Sequence, residues 1–226
     1  MRNHLSASET TTRTRALFAL AALLLCGGLA QAQERSDEKD VSRPRINVKP
    51  FEDVALVGKQ LVEQGKLGPD TTLDVSATAE RGADGRLKPE SVAIQWHTTA
   101  PDETLAALAR QVLNAFSESR VLSGLEGVKA VRLALKLDRQ NVSVKVACET
   151  PGEAEAERYA EGYGILVRMG VIAKKGTDEG ELYKRLGFSS EGKMFNMSFE
   201  MPRAEAARMI ANMLAKQAAK NAPSQD

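Results

Sequence analysis

Histidine is almost missing from this chain of 226 residues, with only His4 and His97 present. That scarcity excludes most zinc arrangements, histidine-rich copper sites and any catalytic scheme needing two imidazoles. Aromatic residues are also few, at 4% with the single tryptophan Trp96. A glycosidase cleft, in which paired carboxylates face an aromatic-lined groove, has little to be built from. Catalytic signatures are missing as well: the chain contains neither Gly-x-Ser-x-Gly nor His-Glu-x-x-His. Ser123 and Ser190 lie near glycines but have no evident histidine partner. Gly162, Gly164 and Gly170 lack the lysine-serine end of a phosphate loop and fall inside a helical pattern, so close helix packing is their expected role. Glu153, Glu155, Glu157 and Glu161 read as a solvated helix face. Neither catalysis nor a cofactor is expected.

The N-terminus has a recognisable layout. Arg13 and Arg15 precede an apolar run over residues 16–30 that ends in Ala30-Gln31-Ala32. A basic region, an apolar stretch and a small-x-small site predict a secretory signal cleaved after Ala32. The alternative is an inner-membrane anchor over residues 16–32, but a span needs about 20 apolar residues. Cys26 follows Leu23, Leu24 and Leu25, whereas lipid attachment wants a small residue just before the cysteine. Cleavage would remove Arg2, Arg13, Arg15 and Glu9, leaving 28 basic and 29 acidic side chains and a net charge of −1. No nucleic-acid footprint is present, and membrane contact is expected only through an uncleaved N-terminal segment. Cys148 is then the one remaining thiol, and no intramolecular disulfide is possible. The expected location is periplasmic or secreted.

Residues 33–49 are charged and aperiodic, which predicts a polar linker. The folded region is expected over residues 50–220, as one continuous sheet or as two lobes, 50–140 and 141–220; residues 221–226 have no apolar content to bury. Phe51, Val54, Val57, Leu61 and Val62 recur at helical spacing, with Gly65 as the stop. Leu73, Val75, Ala77 and Ala79 alternate with polar residues, as do Val92, Ile94 and Trp96 beyond an Asp84-Gly85 turn. Pro89 has no ladder donor, so the second strand starts late or lies at an edge. Thr99 is the expected cap of a helix with the face Leu105, Leu108, Val112 and Phe116.

The pattern then recurs. Val131 to Leu137 and Val142 to Cys148 alternate about the turn Asp138-Arg139-Gln140, and Cys148 in phase with three valines reads as core. Thr150-Pro151-Gly152-Glu153 resembles a capping box for a helix bearing Tyr159, Ala160, Tyr163 and Val167 and closing at Gly170. A short helix over residues 178–186, a third hairpin turning at Glu191-Gly192 and a helix opened by Pro202 complete the chain. The fold class is therefore α+β, an antiparallel sheet of successive hairpin-plus-helix units with helices packed on one face. Asn141 and Asn196 match Asn-x-Ser by chance, since both fall in or beside strands.

Five methionines, 194, 197, 201, 209 and 213, lie in one stretch of 22 residues. Met194, Met197 and Met201 are candidate soft donors for Cu(I), giving an alternative reading as a periplasmic small-ligand or copper-binding module. Strand alternation separates Met194 from the stripe of Met197 and Met201, while Met209 and Met213 are i, i+4 beside Ile210 on the helix; core packing is the expected role.

Over residues 73–137, the hairpin segment DGRLKPESVAIQW, the helix ETLAALARQVLNAF and the strand KAVRLALKL resemble the C-terminal domain of TonB-family proteins, over about a third of the exported chain. The segments TPGEAEAERYAEGYGIL and SSEGKMFNMSFEMPRAEAARMI are similar to an extension in some bacterial TonB-like envelope proteins. The resemblance implies a Gram-negative periplasm and binding of a protein partner in the envelope by strand addition. The energy-transducing members carry a histidine and a serine in an uncleaved N-terminal helix and a long proline-rich spacer. Here His4 precedes the apolar run, and the linker has only Pro44 and Pro50, so energy coupling is not implied. Arg86, Lys88, Pro89, Trp96 and His97, along the strand that Pro89 marks as edge-prone, are the candidate partner-binding residues.

Overall fold

The computed structural model describes residues 47, 49–68, 70–98 and 102–221, with the side chains of residues 210, 213, 214 and 216–221 outside the described set. The expected signal over residues 1–32, most of the polar linker, Thr99 and the tail residues 222–226 lie outside the described residues. Among the described residues, no helix is long and apolar enough to cross a membrane.

Among the described residues, five α-helices and six strands follow in order: α1 (Lys49–Glu63), β1 (Leu73–Glu80), β2 (Ala93–Trp96), α2 (Glu103–Glu118), β3 (Ala130–Leu137), β4 (Asn141–Glu149), α3 (Glu153–Ala173), α4 (Asp178–Tyr183), β5 (Leu186–Glu191), β6 (Met194–Pro202) and α5 (Arg203–Asn221). Short 3₁₀ turns at Pro89–Ser91 and Val121–Gly124 precede β2 and follow α2. The sheet is antiparallel throughout, in the order β2-β1-β3-β4-β6-β5, and the expected α+β architecture is present. The β3–β4 hairpin pairs along its length, so one sheet crosses residues 140 and 141.

Period two places the core. One row of cross-strand partners reads Trp96, Val75, Leu135, Val144, Phe199, Leu186, and the next reads Ile94, Ala77, Leu133, Val146, Met197, Phe188. These side chains share one face, and the fully buried Phe51 of α1 and Leu108 of α2 join the same core, as do Ala156 of α3 and Ala206 of α5. The opposite face carries Gln95, Ser76, Ala134, Lys145, Ser198 and Gly187 in one row, exposed or half-buried and, among the described residues, without a covering helix. All five helices therefore lie to one side, because only one parity of the strands is apolar.

Local signals fared differently. Asp102, not Thr99, caps α2: its Oδ1 accepts the Leu105 N–H at 2.8 Å, and its carboxylate sits better than a hydroxyl beside the exposed amides of the helix start. The expected capping box at Thr150 is also replaced. Gly152 is the N-cap of α3, and the Thr150 hydroxyl lies within 2.7 Å of the Gly152 carbonyl and 2.8 Å of that of Lys193, pointing at carbonyls rather than at helix amides. α3 runs past Gly170 to Ala173; the absent Cβ at Gly170 lets Tyr183 of α4 sit against the helix, since a Cβ there would lie 3.1 Å from its ring. α1 begins at Lys49, inside the stretch read as linker, and the Asn47 N–H donates to the Ser119 carbonyl at 2.9 Å.

Candidate functional site

The residues singled out around β2 do not form one cluster. Arg86, Lys88 and Pro89 are exposed ahead of the strand, whereas Trp96 and His97 lie at its far end. Arg86 is within 3.7 Å of Asp84 in the same loop. Lys88 Nζ donates to Glu80 Oε2 at 2.7 Å, and this bond holds the Glu80 carboxyl below its ordinary range and the Lys88 amine above its own. Both side chains are exposed, so the pair fixes loop geometry more than it adds stability. Trp96 is half-buried against the core, and His97 Nε2 lies 2.8 Å from Ser76 Oγ on the open face.

The loop before β2 is anchored. Gly85 has φ of +81°, and a Cβ there would meet the Ser123 backbone at 2.7 Å, so only glycine permits this approach to the turn after α2. Arg81 Nε donates to the Leu122 carbonyl at 3.0 Å, and the Leu87 N–H to Ser117 Oγ at 3.0 Å.

β2 is an edge strand. The His97 N–H bonds the Asp74 carbonyl, so antiparallel alternation turns the backbone groups of Ile94 and Trp96 outward. This open ladder is short, and Pro89 and Lys88 stand at its entrance, devices that discourage indiscriminate pairing. The opposite edge, β5, is six residues long, holds neither proline nor lysine within LGFSSE although Lys184 and Arg185 directly precede it, and has no strand on its outer side among the described residues. Its inner face is fixed by rings: Phe188 stacks on Tyr163 of α3 at 5.6 Å and lies 6.2 Å from Phe195 of β6. The sequence drew attention to Pro89 and so to β2; the longer edge carries no such marker.

The methionines separate. Met197 and Met201 are buried on the core face of β6, while Met194 is half-buried on the other. Four residues of strand put Met197 and Met201 roughly 13 Å apart, too far to share one ion. Met209 is buried in the core beside β6, and the Met213 side chain lies outside the described residues. Among the described residues no three His, Cys, Asp or Glu side chains converge. Cys148 is fully buried, and burial pushes its thiol up to about 12, away from thiolate chemistry.

Two features were not anticipated. Arg203, the first residue of α5, is buried, and its guanidinium donates to the carbonyls of Thr71 at 2.8 Å, Asp138 at 3.0 Å and Gly68 at 2.9 Å. It binds the α1–β1 connection and the β3–β4 turn to the end of β6; burial lowers its pKa, with Asp70 and Asp138 opposing. The second is the outer surface of α3, where Ile165, Leu166, Met169 and Ile172 are exposed. Its signal was in the sequence: α3 carries apolar residues on both sides, more than one core-facing stripe requires. Comparison with protein-family models, curated proteins and solved structures finds no match to this chain.

Proposed function

We propose that the protein is a non-enzymatic component of the bacterial envelope that binds another protein by accepting a strand of that partner at an open edge of its sheet. The observation that carries this reading is β5, a six-residue edge with no strand outside it among the described residues and no proline or lysine along its own length. Strand addition draws affinity from main-chain hydrogen bonds and specificity from alternate side chains, so it needs an open ladder on a rigid sheet rather than a pocket. The stacked rings of Tyr163, Phe188 and Phe195 hold β5 in place.

A TonB-like character is supported by the order of elements: the β1–β2 hairpin is followed by α2 and by β3, which returns to pair beside β1. A periplasmic or secreted location rests on the basic, apolar and small-x-small order of residues 13–32. The partner is a protein of the same compartment, and transport across the envelope is the process such domains serve in the resembled family. Crosslinking in intact cells followed by capture of the tagged chain tests this reading. A discrete protein adduct is expected; recovery of the uncrosslinked chain alone, at expression levels that load the compartment, removes it.

A further inference from the structure

We infer that α3 pairs, antiparallel, with α3 of a second copy of this chain, across the stripe formed by Ile165, Leu166, Met169 and Ile172. Of the five large hydrophobic residues exposed among the described residues, four lie here, with Met169 at 61% and Ile172 at 78% exposure. They recur at helical spacing on the side of α3 facing away from the sheet, opposite the buried Ala156 and Val167. Scattered single apolar residues need no explanation, but a contiguous stripe on one helix marks a contact.

Gly162 points to a helix as the occupant. It lies in the stripe one turn before Leu166, it is exposed, and a Cβ built on it meets nothing within 4 Å. Gly170, by contrast, makes room for Tyr183. A helix-interior glycine is unfavourable by about 1 kcal/mol relative to alanine. Gly164, off the stripe, likewise meets nothing within 4 Å among the described residues, so it is the place of Gly162 in the stripe that suits close approach of a second helix. In a reversed pair the gap at Gly162 receives the large Met169 or Ile172 of the other copy.

Charge selects the same chain as partner. One flank of the stripe carries Glu157 and Glu161 toward the helix start and Arg168 toward its end, with Lys175 two residues past it, all exposed; Arg158, also exposed, lies on the stripe itself one turn before Gly162. Antiparallel helices related by a two-fold axis set this flank against itself in reverse, so the acids of each copy meet the bases of the other. In a parallel pair this flank would face the opposite flank of the second helix, so these acids and bases would not meet. The 21 residues of α3 span about 31 Å. One helix pair of that length is a small interface, so the dimer is expected to be weak and concentration-dependent. α3 packs on β5 through Tyr163 and Phe188, but the stripe lies on its other side, and self-association of the purified chain is read separately from partner capture.

Sedimentation velocity of the purified full chain from about 1 to 300 μM reads it directly, because that range spans the dissociation of a weak dimer. A monomer–dimer equilibrium is expected. Ile172→Glu should weaken it by roughly tenfold or more while leaving the thermal melt unchanged, because the side chain is exposed in the monomer. Glu157→Lys/Glu161→Lys and Arg168→Glu/Lys175→Glu should each stay monomeric alone and form a mixed dimer when combined. A monomer at every concentration, a dimer indifferent to these variants, or a monomer that instead binds anionic lipid vesicles through the stripe overturns the proposal.

Discussion

Arg203 is the residue on which the most distant parts of the chain converge. Its three carbonyl partners sit in two separate loops, and the sequence showed only an arginine after a proline. Local periodicity cannot reveal a guanidinium that becomes buried when loops 65 and more residues away close over it. Replacing Arg203 by methionine keeps the bulk and leaves carbonyls unpaired, so urea unfolding should show a loss of about 2–4 kcal/mol. Asp138, in the same turn, accepts the Asn141 N–H at 2.7 Å and the Gln140 N–H at 2.8 Å, and these bonds hold its carboxyl below the usual range. A depressed folded pKa stabilises the fold above the unfolded value, about 3.9 for aspartate, and that stability is lost as pH falls through the folded value. Asp138→Asn should therefore be less stable than wild type at neutral pH, with the difference vanishing in acid; denaturation at a series of pH values checks it. Cys148, by contrast, was legible, since its phase with Val142, Val144 and Val146 gave its burial before any coordinates. With its thiol pushed up to about 12, alkylation should be slow in the native protein and fast in urea.

At the scale of elements, the three hairpins and the helix after each could be read because alternation of period two and stripes of period 3.6 are local properties. What was missed depended on neighbours. α3 passes Gly170 because Tyr183 packs there, and the Val121–Gly124 turn is held by Arg81, the residue just after β1. Glycines of one sequence type thus have opposite meanings. Gly85→Ala should destabilise the protein by about 1–3 kcal/mol, from a left-handed φ and a collision with Ser123. Gly162→Ala should raise the monomer's melting temperature, since it removes a helix-interior glycine where nothing collides. Two melting curves compare them.

For the whole molecule, the sheet order β2-β1-β3-β4-β6-β5 gives each half of the sheet a hairpin at its rim and the β3–β4 hairpin at its centre. Strand order was not legible, because pairing of β1 with β3 and of β4 with β6 joins segments that no local pattern connects. The candidate site was legible only in part. Pro89 marked β2 as an edge, but β5 has no such mark and becomes an edge only through the order of the sheet. Helices on one side, a polar face on the other and two rims leave β5 as the longer open ladder. The most direct measurement is site-specific photocrosslinking in cells, with the reactive side chain placed in turn at Ser189 of β5, at Gln95 of β2 and at Lys145 in mid-sheet. A discrete adduct to a different protein from Ser189, with none from Lys145, is the predicted result. Adducts from Lys145 and none from Ser189 would contradict binding at the β5 edge.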